Sequence, residues 1–292
     1  MRKKCFNLMV SKPEDLYIYL VSGTLTESDE TALGGTFMGN WVEGNSAFLF
    51  FQTPAERQVA RLMKIRRELS LEDRFHFTYE DWQGGGLDTL KIGPFLITPP
   101  WVENSAAEGF IKTLLDPGVV FGNCLHPTTR TCLEALSIVA KQSCMGRVLD
   151  LGTGTGILAI AAALLSGNEA LAVDFNPLCV KTAAGNIELN GLTDRVKAVQ
   201  GKAEDFADEK ADLLVANIQH EVIRDFLKKH TPARPQTLII SGQMRSQSRD
   251  LKMQLEHLGY DTLREWDHDM TWFTILAEKD PRGALEPNSP AQ

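Results

Sequence analysis

Between residues 148 and 159 a short apolar run, Val148-Leu149-Asp150-Leu151, feeds directly into Gly152-Thr153-Gly154-Thr155-Gly156 and then into Ile157-Leu158-Ala159. An apolar run, alternating glycines and an alanine-rich stretch predict a buried strand, a tight turn and a helix. No other feature constrains the fold as much. Without Cβ atoms the turn lets a ligand lie against bare main chain, and the first N–H groups of the helix face that ligand. A strand-turn-helix of this kind belongs to a parallel sheet with crossover helices.

The sequence around it keeps that grammar. Strands are expected at 147–151, 170–175, 196–200, 212–217, 237–241, 260–266 and 271–277, nearly all solid apolar runs suited to burial on both faces. The last two are so close in sequence that they should form an antiparallel hairpin at one sheet edge. The first ~80 residues read differently, by their alternation of the two structural periods. A strand carries Phe6, Leu8 and Val10, and a helix opens at Pro13-Glu14-Asp15 with Leu16, Tyr17 and Leu20. Two strands flank the turn 43–46, a helix starts near Pro54, and a last strand runs from Arg74 to Tyr79. Strand, helix, strand, strand, helix, strand is the order of a ferredoxin-like sandwich. Gly84-Gly85-Gly86, followed by Pro94, Pro99 and Pro100, marks a hinge. The expected organisation is an α+β ferredoxin-like domain over 1–83, a linker over 84–105, an α/β Rossmann-like domain over 106–279 and a loose Pro-rich tail over 280–292.

The glycine spacing narrows the ligand. A dinucleotide fingerprint is G-x-G-x-x-G, whereas here the third glycine arrives one place early, at Gly156, and Ile157 stands where that fingerprint needs glycine. Gly152-x-Gly154-x-Gly156 after an acidic strand end is the spacing of sites for S-adenosylmethionine. Asp174 ends the next expected strand, and a carboxylate there can accept both ribose hydroxyls of an adenosine; its bland alternative is capping the helix before Pro177. Asn217-Ile218 closes the fourth strand of this half, at the edge where ligand groups collect in open α/β sheets. Its side-chain carbonyl and the next backbone carbonyl could both face an incoming N–H nucleophile, or Asn217 could merely cap a helix from His220. Glu204 could meet the adenine amino group or be a solvated loop acid. His220 is the nearest titratable candidate for a catalytic role, although a single His is more often structural.

Composition sets the limits. Thirty basic against 38 acidic residues give a net charge of −8, the wrong sign for a protein that lives on a phosphate backbone, so a basic protein or a small molecule is the expected partner and direct nucleic-acid binding is not. No apolar run approaches the ~18 residues of a membrane helix, and Asn7, Ser11 and Lys12 interrupt what could follow Arg2-Lys3-Lys4 as a secretory signal. Cys5, Cys124, Cys132, Cys144 and Cys179 form no C-x-x-C pair, and Cys124-Leu125-His126 has no second paired set, so reduced thiols, no metal and a cytoplasmic location are expected.

Together with Asp116-Pro117-Gly118-Val119-Val120-Phe121-Gly122 and His126-Pro127-Thr128-Thr129, these residues resemble the ribosomal protein L-eleven methyltransferases (the PrmA family), class I enzymes that use S-adenosylmethionine. The likeness spans nearly the whole chain and is strongest from Asp116 to Leu227. It implies a seven-stranded sheet with its last strand antiparallel, a substrate-capturing N-terminal domain, and transfer of methyl groups to protein amines, lysine side chains or an N-terminal α-amine, on a ribosomal protein of the large subunit. It implies that Thr129, Gly152, Asp174 and Asn217 bind the cofactor, to which the residue reading above adds Gly154, Gly156 and Glu204 as candidates and Asn217 as the residue that positions the amine. Another protein target, a small-molecule acceptor or a non-catalytic nucleoside-binding relative are the alternative readings. Three features depart from the family pattern. Asn123-Cys124-Leu125 replaces a Gly/Thr-rich loop and should be stiffer and less polar, Gln219-His220 follows Asn217-Ile218 in place of small apolar residues, and the Trp-rich link after the first domain is shortened.

Overall fold

The computed structural model describes residues 12–103, 108–142, 145–229 and 234–280. The strand expected at Phe6–Val10, Cys5, Cys144 and residues 281–292 of the expected tail lie outside the described residues.

The first strand of the N-terminal sheet, β1 (Asp15–Ser22), occupies the segment where Pro13-Glu14-Asp15 suggested a helix. The two-residue period outweighs the helix-start chemistry: Leu16 and Ile18 face one side, Tyr19 and Val21 the other, and all four are buried. Aromatic and β-branched residues with two faces to fill favour a strand once neighbours are available on both edges. The helix of this unit comes later, as α1 (Glu27–Leu33), started by a capping box. Thr26 Oγ1 accepts from Asp29 N, and Asp29 Oδ2 accepts from Thr26 N at 2.8 Å. β2 (Phe37–Glu43), β3 (Ser46–Phe51), α2 (Glu56–Ile65) and β4 (Ser70–Thr78) complete the unit. The sheet runs β2-β3-β1-β4, antiparallel throughout, so the ferredoxin-like order holds with its first two elements displaced along the chain. One face packs Tyr19, Val21, Leu49 and Phe51 against Val59 and Leu62 of α2. The other packs Leu16, Ile18 and Phe50 against Val119, Val120 and Leu178 of the C-terminal half.

The short helix α3 (Tyr79–Gln83) follows β4 and stops at Gly84, which adopts a left-handed conformation at φ 77°. The segment expected to be a plain linker carries structure: β5 (Leu90–Ile92) and β6 (Phe95–Thr98) form a hairpin turned by Gly93-Pro94, and β7 (Ile111–Leu114) adds a parallel third strand. Phe95, Leu96 and Ile97 are buried, and Phe95 and Ile97 join the core around the next helix, α4 (Pro127–Gln142). Three- and four-residue strands hold too little sequence to show a period.

The remaining elements alternate as expected: β8 (Val148–Leu151), α5 (Ile157–Ser166), β9 (Ala170–Asp174), α6 (Pro177–Leu189), β10 (Val196–Gln200), a 3-10 turn (Ala203–Phe206), β11 (Leu213–Asn217), α7 (His220–Lys228), β12 (Thr237–Gln243), α8 (Arg245–His257), β13 (Tyr260–His268) and β14 (Trp272–Lys279). Their sheet runs β10-β9-β8-β11-β12-β14-β13, with β14 antiparallel to both neighbours and the β13–β14 hairpin at the edge. Leu149, Leu151, Leu214 and Ala216 feed one core layer, Val148, Leu213 and Val215 the other. Burying a Leu or Val in this way contributes roughly 1.5–3 kcal/mol per side chain, which explains the solid apolar strands. From β8 the chain first winds outward through β9 and β10, then returns to build β11 and β12 on the other side. The switch point therefore lies between β8 and β11, where an open α/β sheet places its ligand.

Candidate functional site

The carboxyl end of β8 turns through Gly152, Gly154 and Gly156, all at positive φ (71°, 54° and 85°). Two of these positions are also closed by their neighbours. A Cβ on Gly152 would lie 1.9 Å from Ile218 Cγ2, and one on Gly154 would lie 2.5 Å from the Phe121 carbonyl oxygen. Backbone bonds hold the turn: Gly152 and Thr153 N–H groups donate to the Val173 carbonyl at 2.8 and 3.0 Å, and Thr155 N–H donates to Phe121 O at 3.1 Å. Gly152 is exposed while residues 153–156 are buried, so the bare main chain at the start of the turn faces solvent.

Two acids flank it. Asp174, at the end of β9, is buried, and its two oxygens accept from Gly154 N (3.0 Å) and Asn176 N (2.9 Å). Capping of α6 falls to Asn176, whose Oδ1 accepts from Leu178 N at 2.9 Å, which removes the bland alternative for Asp174. Burial raises the Asp174 pKa, opposed by the two backbone N–H groups and the Cys179 thiol. Asp150, one strand over, is fully buried. Its Oδ2 accepts from Thr153 Oγ1 (2.6 Å) and Ala159 N (3.2 Å), and among the described residues its Oδ1 has no partner. Burial, reinforced by the charge of Asp174 and opposed by these hydrogen bonds, pushes its pKa to about 7.

Asn217 ends β11 on the far side of the switch point. Its Nδ2 donates to Thr128 Oγ1 at 3.2 Å, and that hydroxyl donates in turn to His126 Nδ1 at 2.7 Å. Burial first, and His268 second, lower the pKa of His126. With the amide nitrogen spent on Thr128, Asn217 Oδ1 lies over Gly242, where a Cβ would approach it to 3.1 Å. Ile218, the next residue along the chain, is the one whose side chain closes over Gly152.

The other expected residues are placed as follows. Thr129 is buried in the first turn of α4, on the face that also carries Cys132, Leu133, Leu136 and Val139, and its neighbour Thr128 is the one that reaches Asn217. Glu204 is half-buried in the 3-10 turn after β10, and its backbone carbonyl accepts from Lys229 Nζ at 3.1 Å. His220 opens α7 and is buried, with Nδ1 2.8 Å from Gln243 Oε1 and Nε2 3.2 Å from Asp250 Oδ2. Asp150, Thr128 and Gln243 were not singled out from sequence as site residues. Only Asp150 carried a readable signal, as the acid two places before the first glycine.

The loop ahead of α4 is latched rather than loose. Tyr79 Oη and Gln83 Nε2 donate to Gly118 O (2.5 and 2.9 Å), and Asn123 Nδ2 donates to Gln83 O and Oε1 (2.8 and 2.9 Å). Cys124 adopts φ 67° with its thiol buried and its pKa pushed up to about 12, and its carbonyl accepts from Arg130 Nε at 2.9 Å. A non-glycine residue there is strained, by about 1 kcal/mol or more, and persists because its surroundings over-determine it. Cys132 and Cys179 are likewise free and buried.

A family model described as "Ribosomal protein L11 methyltransferase (PrmA)" matches residues 56–280. The chain belongs to that family. Two curated relatives carry the same name: one from Desulfitobacterium hafniense, 35% identical over 94% of this chain and 89% of the relative, and one from Pelotomaculum thermopropionicum, 36% identical over 68% of this chain and 65% of the relative. The second match therefore spans slightly under two thirds of that relative's length. A solved structure of a ribosomal protein L11 methylase from Lactobacillus delbrueckii subsp. bulgaricus superposes with a TM-score of 0.59 at 26% identity, covering 66% of this chain and all of that one. Membership in this class I methyltransferase family makes S-adenosylmethionine the cofactor. The site suits it: an exposed glycine main chain, a carboxylate at the end of β9, and a buried Asp150 oxygen with no donor among the described residues.

Proposed function

We propose that this chain methylates amines of ribosomal protein L11, lysine side chains or the N-terminal α-amine, in the cytoplasm. The observation that carries this reading is the contact between two halves of one site. Gly152, the open end of the cofactor turn, touches Ile218, and Ile218 follows directly on Asn217. A cofactor bound along the turn and an amine held by the Asn217-Ile218 pair therefore share a wall.

Gly152, Gly154 and Gly156 would lie along the cofactor, Asp174 would hold its ribose, Glu204 its adenine amino group, and Thr129 at the start of α4 its carboxylate. When bound, S-adenosylmethionine would supply a methyl group on a positively charged sulfur, so that transfer to the amine nitrogen would leave a thioether and an ammonium whose proton goes to water. The chain's part is to present a neutral nitrogen. A free lysine amine, with pKa near 10.4, must first lose its proton, and a desolvated approach past Ile218 lowers that cost. Asn217 Oδ1 and the Ile218 carbonyl accept the two remaining amine hydrogens and turn the lone pair toward the methyl group. No dedicated base is required. The unit over 1–83 serves as the substrate-recognition domain and residues 106–279 as the catalytic domain, with the β5–β6 hairpin of the segment 84–105 packed on the catalytic side.

The test is incubation of the protein with purified ribosomal protein L11 and methyl-labelled S-adenosylmethionine, followed by mapping of the label. Label on lysine or the α-amine is expected, with Asn217→Ala slowed by about a hundredfold or more. An unlabelled ribosomal protein L11, despite measurable cofactor binding, contradicts the proposal.

A further inference from the structure

Gln219-His220 replaces the small apolar residues expected after Asn217-Ile218, and the structure shows what has been put there. β12 is bulged at Gly242: the register with β14 slips between Ser241 and Gln243, and Gly242 sits at φ 82°. A bulge of this type re-aims the side chain beside it. Here it turns Gln243 inward, fully buried, beneath the Asn217-Ile218 pair. Gln243 Nε2 donates to the Ile218 carbonyl at 3.1 Å and to the Ser241 carbonyl at 3.0 Å. Both amide hydrogens are then spent, which fixes the orientation of the amide. Its Oε1 can only accept, so His220 Nδ1, at 2.8 Å, must carry a proton and donate it. The far nitrogen of the ring is held by Asp250 Oδ2 at 3.2 Å, on α8. Both ring nitrogens therefore face protein partners, Gln243 on one side and Asp250 on the other.

We infer that Gln243 and His220 form a positioning pair for methyl transfer: His220 locks Gln243, and Gln243 occupies one lone pair of the Ile218 carbonyl so that the other is aimed at the acceptor amine. This rests on the reading that Asn217 and Ile218 hold that amine. The role initially open to His220, a titrating catalytic group, becomes one exerted through Gln243. A side chain that fixes the direction of a single acceptor acts on the alignment of nitrogen and methyl group, and misalignment of about 1 Å can lower a rate by as much as a hundredfold while leaving cofactor affinity untouched.

The experiment compares Gln243→Leu, His220→Leu, the double variant and His220→Gln. It measures turnover on ribosomal protein L11 at saturating S-adenosylmethionine, affinity for S-adenosylhomocysteine by calorimetry, and thermal stability. Each Leu variant should lose about tenfold or more in turnover, with cofactor-product affinity changed by no more than about twofold. The double variant is the discriminating one. It replaces both partners by apolar groups, so its stability should recover relative to Gln243→Leu, which leaves the His220 N–H buried and unmatched. Its turnover should not recover. His220→Gln keeps an N–H for Gln243 Oε1 and should retain the greater part of the activity. Turnover that returns with stability in the double variant, or single variants that turn over like wild type, overturns the inference and leaves the role of Asn217 standing. Failure of the wild-type control to methylate ribosomal protein L11 overturns the underlying reading instead.

Discussion

Asp150 offers the sharpest physical test, because its burial has a pH signature. The side chain is fully buried, and its pKa is pushed from an ordinary 3.8 to about 7 by burial. Between those two values the folded chain keeps a proton that the unfolded chain has lost. The native state then binds more protons than the unfolded one, so this residue's contribution to stability falls as pH rises, and the loss is complete above about pH 7. At about 1.4 kcal/mol per pH unit the whole span is worth about 4 kcal/mol, of which about 3 kcal/mol falls between pH 5 and pH 8. Asp150→Asn keeps an oxygen for Thr153 and Ala159 and cannot ionise. It does place an N–H where Oδ1 had no partner, a cost of about 1–3 kcal/mol that does not depend on pH. Urea unfolding of both proteins at pH 5, 6, 7 and 8, taken as the difference at each pH, cancels the titrating groups that do not interact with Asp150. The variant should gain about 3 kcal/mol on wild type between the first and last pH. A difference that is flat across that range within about 0.5 kcal/mol would refute the reasoning, since it would mean that Asp150 ionises in the fold as easily as in water.

Gly152→Ala should destabilise the chain by about 2–4 kcal/mol, combining the cost of a left-handed alanine with the overpacking of a methyl group placed 1.9 Å from Ile218 Cγ2; a urea midpoint that barely moves would deny that close approach. Brief alkylation at pH 8 followed by peptide mapping should leave Cys124, Cys132 and Cys179 unmodified until urea is added, since burial raises all three thiol pKa values; native labelling of any of them would contradict it.

The legibility of this chain followed the length of its elements and the range of its contacts. The five inner strands of the large sheet are readable because each is an apolar run largely buried, while the edge strands β10 and β13 are mostly exposed or half-buried, and the glycine spacing distinguishes the ligand class without any contact being visible. The β1 segment reads as a helix because Pro13-Glu14-Asp15 is good helix-start chemistry, while the decisive fact, pairing with β3 on one edge and β4 on the other, lies 24 to 63 residues away. β5, β6 and β7 were invisible because strands of three or four residues show no period. In the site, Asp174 and Asn217 were legible as polar residues ending apolar strands. Thr128, one place from Thr129, could be told apart only once α4 had fixed which hydroxyl reaches Asn217. His220 looked like a titratable candidate because Gln243, 23 residues further along the chain, is brought to its ring by a bulge that sequence alone does not display.

Calorimetric titration of S-adenosylhomocysteine into the wild-type chain and into Asp174→Ala tests most directly whether the cleft at the β8–β11 switch point grips the cofactor. A single site is expected in the wild type, with affinity reduced by at least about tenfold in the variant, the value of one or two hydrogen bonds to a charged group. Equal affinity in the two proteins, or no heat of binding in the wild type, would contradict the assignment of that cleft.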